Sequence, residues 1–198
     1  MYGGGVRRTV RTLALAALVA APAVLASQDE APRRLVFSGG NELGELWVNT
    51  SLTRQRLDED YIPMVVAIVN RSRETVTVDR DAVRLIGPDG SRYPMPTVKE
   101  LREGYGRSSL DARMVSGAGI PYEVWQRERH LMDSNFFPFL MSGRRAIVID
   151  EVNLAPGYAM IDILYFAKPD RLQLGEPLLL EVRAVGWAAP VRLGIVLN

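Results

Sequence analysis

Cysteine is absent from the 198 residues, and histidine occurs once, as His130. Without cysteine there is no disulfide, and no thiol to carry a lipid after an export signal. One imidazole without thiolates leaves no zinc ligand set, and the remaining carboxylates suit calcium or magnesium better. Lysine is scarce as well, with only Lys99 and Lys168 among 24 basic residues. The basic and acidic totals nearly cancel, 24 against 23, so the positive excess of a nucleic-acid footprint is missing.

Chemical signatures are equally sparse. The acidic clusters LDEDY (Asp58, Glu59, Asp60) and VDRDA (Asp79, Asp81) lack the spacing of a calcium loop and read as charged strand ends. GRSSL, with Ser108 and Ser109, is not a Gly-x-Ser-x-Gly elbow. SGAG, residues 116–119, has neither the preceding strand nor the following Lys-Ser/Thr of a phosphate cradle. The scattered Asp and Glu residues nominate no glycosidase pair. No metal site and no cofactor is expected.

The N-terminus differs in kind from the rest. Arg7, Arg8 and Arg11 precede the apolar run TLALAALVAAPAVLA, which places Val24 and Ala26 at the −3 and −1 positions of a cut before Ser27. This is the pattern of a secretory signal peptide over 1–26, too short and Ala-rich for a good spanning helix. Arg11 falls where a twin-arginine signal wants an apolar residue, which favours the general route. The expected organisation is a signal peptide over 1–26, a flexible lead-in over 27–34, and one domain over 35–198. Removing the first 26 residues leaves 172, with 21 basic and 23 acidic side chains and a net charge of −2. That length supports one real core. The expected location is the periplasm or the cell exterior, without stable membrane insertion after cleavage.

Strand patterns dominate the domain. RLVFSG and GELWVNTSL come first, then YIPMVVAIVN, whose apolar residues occupy both faces and predict a central, doubly covered strand. TVTV follows the polar turn NRSRE, and DAVRLIGPDGSRYPM reads as a hairpin with Pro88 and Gly90 at its turn. RRAIVIDEVNL, YAMIDILYFAKP, PLLLEVRAVGW and PVRLGIVLN complete about eight or nine strands, the count of an antiparallel sandwich. Asn49-Thr50-Ser51 and Asn70-Arg71-Ser72 match the glycosylation pattern, which carries weight only outside bacteria.

The insertion over 97–143 breaks this rhythm with helical signals near 97–135. Thr97 and Glu100 form a capping box ahead of a stop at Gly104, and SSLDARMVSGAG can hold a second helix. A third helix is predicted over Tyr122–Asp133, with Pro121 at its start. On that helix Tyr122, Val124, Trp125, Leu131 and Met132 share the apolar side, and His130 joins Glu123, Gln126, Arg127 and Asp133 on the wetter side. Next comes SNFFPFLMSG, with Phe136, Phe137 and Phe139 among the chain's five phenylalanines. Such a run either seals an open end of the fold or offers an apolar patch to a partner.

The order VVAIVNRSRETVTV, VRLIGPDGSRYPM and NLAPGYAMIDILYFAKP resembles secreted bacterial immunoglobulin-like domains of unknown function. These pair a V-x-N-x-S strand end with a D-x-x-G-x-x-Y hairpin and a late L-x-PG turn, matched here by Leu154, Pro156 and Gly157. The matching positions cover roughly 61–96 and 144–185. The resemblance implies an immunoglobulin-like β-sandwich and a noncatalytic accessory or interaction module of the cell envelope, with no catalytic residues to carry over. A protein partner is expected, and the candidate interaction patch is Trp125, Phe136, Phe137 and Phe139. Two rival readings are a hydrolase using His130 with Asp133 or Glu123, and a structural subunit assembling through sheet edges.

Overall fold

Alternating apolar residues give the chain two sheets whose inner faces meet. The computed structural model describes residues 35–118, 130–134, 136–137, 148–168, 172 and 174–197. The expected signal peptide and lead-in, together with Glu123, Trp125 and Phe139, lie outside the described residues. In chain order the elements are β1 (Val36–Gly40), β2 (Gly44–Asn49), α1 (Ser51–Arg54), β3 (Tyr61–Asn70), β4 (Val76–Asp79), a 3-10 turn (Arg80–Ala82), β5 (Val83–Ile86) and β6 (Arg92–Tyr93). There follow α2 (Val98–Gly104), α3 (Ser108–Ala118), β7 (Leu131–Asp133), β8 (Glu151–Leu154), β9 (Ala159–Ala167), β10 (Pro177–Val182) and β11 (Val191–Val196). The fold is mainly β.

One sheet runs β1-β2-β3-β9-β7, a second β11-β10-β5-β6, and β4 pairs with β8 in a short ribbon. In the first sheet the register aligns Val48 with Val66 and Leu46 with Ile68, then Met64 with Leu164 and Ile62 with Phe166. Residues in register share a face, and this one turns toward the second sheet. There Val83, Leu85, Leu180, Val182, Val191 and Leu193 are buried in the same core. Gly44 marks how closely the two sheets approach: a Cβ there would lie 2.5 Å from the Trp187 ring and 3.1 Å from Val191.

From Ile62 onward every residue of β3 is buried, as its two apolar faces predict. The second face of β3 and β9 lies beneath the helices. Tyr105, at the end of α2, sets its ring edge-on to Tyr61 and Tyr165 at 6.0 and 5.3 Å between centroids. The capping box forms as read: Thr97 accepts from Glu100 N–H, and the Glu100 carboxylate accepts from Thr97 N–H at 2.7 Å. The GPDG turn also forms, with Gly90 at φ +81° and Gly87 N–H donating to Ser91 O.

Three expectations need correction. The strand GELWVNTSL ends at Asn49, because the Asn49 side chain accepts from Ser51 N–H and turns the chain into α1. The strand expected from Arg144 begins only at Glu151; Val148 and Ile149 are exposed, and 144–147 lie outside the described residues. The helix over Tyr122–Asp133 does not reach its C-terminal end, since Leu131–Asp133 is the strand β7, parallel to β9. The outer edge of β9 would otherwise leave backbone groups unpaired, and Ala159 N–H donates to His130 O. Residues 122–129 lie outside the described residues. The parallel β7–β9 pair makes the first sheet mixed where an antiparallel one was expected.

Candidate functional site

Among the described residues, a buried polar cluster joins four side chains far apart in sequence. Arg56 follows α1, Tyr105 follows α2, Asp111 lies on α3 and Tyr165 on β9; their exposures are 6, 2, 0 and 0%. Arg56 donates to Asp111 Oδ1 from Nε at 3.0 Å and from Nη2 at 2.8 Å. The Tyr105 hydroxyl donates to Asp111 Oδ2 at 2.6 Å, and the Tyr165 hydroxyl donates to the same oxygen at 3.3 Å. Asp111 therefore accepts four hydrogen bonds, and both of its oxygens are engaged. A carboxylate held this way ties α3 to the turn after α1 through the charge-assisted bonds of Arg56 and to β9 through Tyr165.

The electrostatics follow from that geometry. Burial alone would lower the Arg56 pKa, but the hydrogen bonds and charge of Asp111 outweigh it and raise the pKa above its ordinary value. Burial pushes both phenols up, and Asp111 pushes them further in the same direction. A phenol whose pKa is raised in the folded state contributes stability below its unfolded value, near 10. That contribution is lost as pH rises beyond it. Tyrosinate absorbance is expected to show Tyr105 and Tyr165 failing to ionise in the native state, with unfolding setting in as pH climbs above ~10. Ionisation of every tyrosine before circular dichroism changes would contradict the clamp.

A second cluster closes the side of the fold between β9 and β5. Arg80, in the 3-10 turn and 8% exposed, donates to Pro96 O at 3.0 Å and to Phe136 O. Its guanidinium lies 4.6 Å from the centroid of Phe137. Phe137 in turn meets the Tyr165 ring edge-on at 5.3 Å. Ser134 donates to Asp162 and accepts from Phe136 N–H. Burial lowers the Arg80 pKa, and the nearby charges of Asp150, Asp81 and Asp162 partly offset that.

These contacts decide half of the proposed aromatic patch. Phe136 and Phe137 are both 0% exposed, so they are core residues and cannot line an interaction surface. The reason is that Arg80 and Ser134 hold the backbone of this segment and direct its rings inward. His130 is exposed, and its ring stacks on Tyr158 at 4.5 Å and 12°. The side chain of Asp133 and all of Glu123 lie outside the described residues. Of the two glycosylation-like asparagines, Asn70 is fully buried, and its amide donates to Glu74 O at 2.7 Å and Leu154 O at 2.9 Å. Its side-chain oxygen accepts from Ser72 N–H at 3.0 Å, so the amide knots the turn after β3 and is not presented for glycosylation.

Nothing in the sequence points to the Arg56–Asp111 clamp, whose members are 55 positions apart and carry no motif. Also missed was a groove of about 260 Å³ at the outer end of β5 and β6, lined by Arg80, Arg84, Arg92, Asp81, Tyr93 and Met95. The only available signal was the recurrence of arginine around the GPDG hairpin.

No family model, curated protein or solved structure matches the chain. Among the described residues no group of three or more His, Asp or Glu is placed to hold a metal ion. Among them, too, no helix is long and apolar enough to cross a membrane.

Proposed function

We propose that the chain is an exported, noncatalytic interaction or accessory module of the bacterial cell envelope, built on an immunoglobulin-like β-sandwich. The observation that carries this reading is the saturation of Asp111. Its setting is the most enzyme-like in the described fold, a buried carboxylate among an arginine and two phenols. Yet its four hydrogen bonds all come from the chain itself. A catalytic carboxylate needs an oxygen within reach of a substrate proton, and this one is spent on holding helices to a sheet. The two facing sheets and the turns at Asn70, Gly90 and Gly157 support the immunoglobulin-like reading, although the parallel strand β7 departs from its simplest form. The arginine-lined groove is one polar surface of the described residues that is open to a partner.

The test is expression of the whole chain in a bacterial host, followed by fractionation and N-terminal sequencing. The expected product begins at Ser27 and is found in the periplasm or the medium. An unprocessed chain in the cytoplasm would refute export. Turnover of an ester, peptide or glycoside by the purified protein that disappears in His130→Ala would instead favour the hydrolase reading.

A further inference from the structure

We propose that the groove at the β5–β6 end of the second sheet recognises the carboxylates of an extended acidic segment in the partner protein, a proposal that rests on the interaction-module reading above. Arg80, Arg84 and Arg92 converge on this groove, and Asp81 is the one acidic residue lining it. Three guanidinium groups against one carboxylate leave a local positive excess on a chain whose remaining charges nearly balance. Planar guanidinium forks match carboxylate geometry.

The three arginines are held differently. Arg80 is fixed by Pro96 O, Phe136 O and the Phe137 ring, while its buried Nε has no hydrogen-bond partner among the described residues. The nearest carboxylate oxygen described for it, on Asp150, is 3.7 Å away, on a side chain that is 82% exposed. Arg84 lies opposite Glu181 in register, but Glu181 is occupied by Arg192, which donates to it from Nε at 2.8 Å. Among the described residues the Arg84 side chain makes one hydrogen bond, from Nε to Asp81 O at 3.3 Å, so its terminal nitrogens remain for a ligand. Arg92 is exposed and forms no ion pair within the described residues.

The walls select more than charge. Tyr93 and Met95 add half-buried apolar surface beside the arginines. Among the described residues β6 pairs only with β5, so its other edge is open to an extended strand. An extended segment alternates its side chains. One with acidic and apolar residues in alternation would send carboxylates to Arg84 and Arg92 while its backbone runs along β6.

The experiment uses the mature protein and a short fluorescein-labelled peptide of alternating Glu and Val, with a Gln-for-Glu peptide as control. Fluorescence anisotropy is expected to show saturable binding of the Glu peptide alone, weakening as salt is raised. Arg92→Gln and Arg84→Gln should each weaken it about tenfold or more, the worth of a charge-assisted hydrogen bond. Arg73→Gln, outside the groove, should leave binding unchanged. Both groove positions are at least partly exposed, so unchanged thermal melts will confirm that these variants are folded. Equal binding of the Gln peptide overturns the proposal, as does binding of neither peptide. Inorganic phosphate binding more tightly than the peptide, and losing affinity in Arg92→Gln, would assign the groove to a small oxyanion and overturn the acidic-segment source. Failure of the interaction-module reading is read separately, by fractionation and turnover of the wild-type protein.

Discussion

Asp111→Ala is expected to lower the unfolding free energy by about 3–5 kcal/mol, because it leaves the buried Arg56 guanidinium without its counter-charge. Arg56 is only 6% exposed, so water cannot simply replace the lost partner. The substitution also strips both phenols of their acceptor, and each buried hydroxyl left unpaired costs about 1–3 kcal/mol. At ~2–4 °C per kcal/mol for a chain of this size, the melting temperature should fall by roughly 10 °C or more. Urea denaturation of the mature protein measures the effect directly. A loss under ~1 kcal/mol would mean that solvent already reaches Arg56 and that the cluster is not a clamp.

A double-mutant cycle separates the charge from the phenols. Adding Arg56→Met to Asp111→Ala removes the stranded cation and restores apolar volume, so the double variant should be more stable than Asp111→Ala alone. What remains is the cost of Tyr105 and Tyr165. Asp111→Asn gives the complementary reading, since it keeps an acceptor oxygen for the phenols but removes the charge that Arg56 needs. If the phenols dominate, Asn is mild and Ala severe. If the ion pair dominates, the two substitutions cost nearly the same.

The strands were legible because they are governed by local pattern. YIPMVVAIVN places apolar residues on both faces, and β3 is buried on both; Thr97 and Glu100 carry their own cap within four residues. All but one of the failures share a physical origin, which is that a distant partner decided the outcome; the exception is the end of β2, where Asn49 accepts from Ser51 N–H two residues on. Leu131–Asp133 carries enough helical pattern to be read as a helix end, but the open edge of β9 recruits it as a strand. Asn49 ends β2 through a side-chain hydrogen bond that composition does not announce. The clamp is invisible in a one-dimensional reading because Arg56 meets Asp111 only after the sheets are built; the hairpin already brings Arg84 near Arg92, but nothing in the sequence says that Arg80 joins them in one groove. FFPFLM had the composition of a core plug and of a docking patch alike. The choice was made by Arg80, 56 positions before Phe136.

Phe137→Ala should therefore act on stability, with an expected loss of about 3–5 kcal/mol for a fully buried phenylalanine. The ring is 0% exposed, faces Tyr165 edge-on at 5.3 Å, and carries the Arg80 guanidinium 4.6 Å above its centroid. Its removal opens a cavity and also takes away the surface against which a desolvated cation rests. Phe137→Leu divides these effects: it keeps most of the apolar volume and loses the aromatic contacts, so it should cost less than alanine by the size of the cavity. Chemical denaturation of the two variants reads that difference. A docking patch would behave in the opposite way, with stability unchanged in Phe137→Ala and partner binding lost. Because Phe137 supports Arg80, and Arg80 lines the groove, Phe137→Ala should also weaken the acidic peptide while Phe137→Leu largely preserves it. Weakened peptide binding in a variant whose unfolding free energy has not moved would return this residue to the surface, and the plug would have to be abandoned.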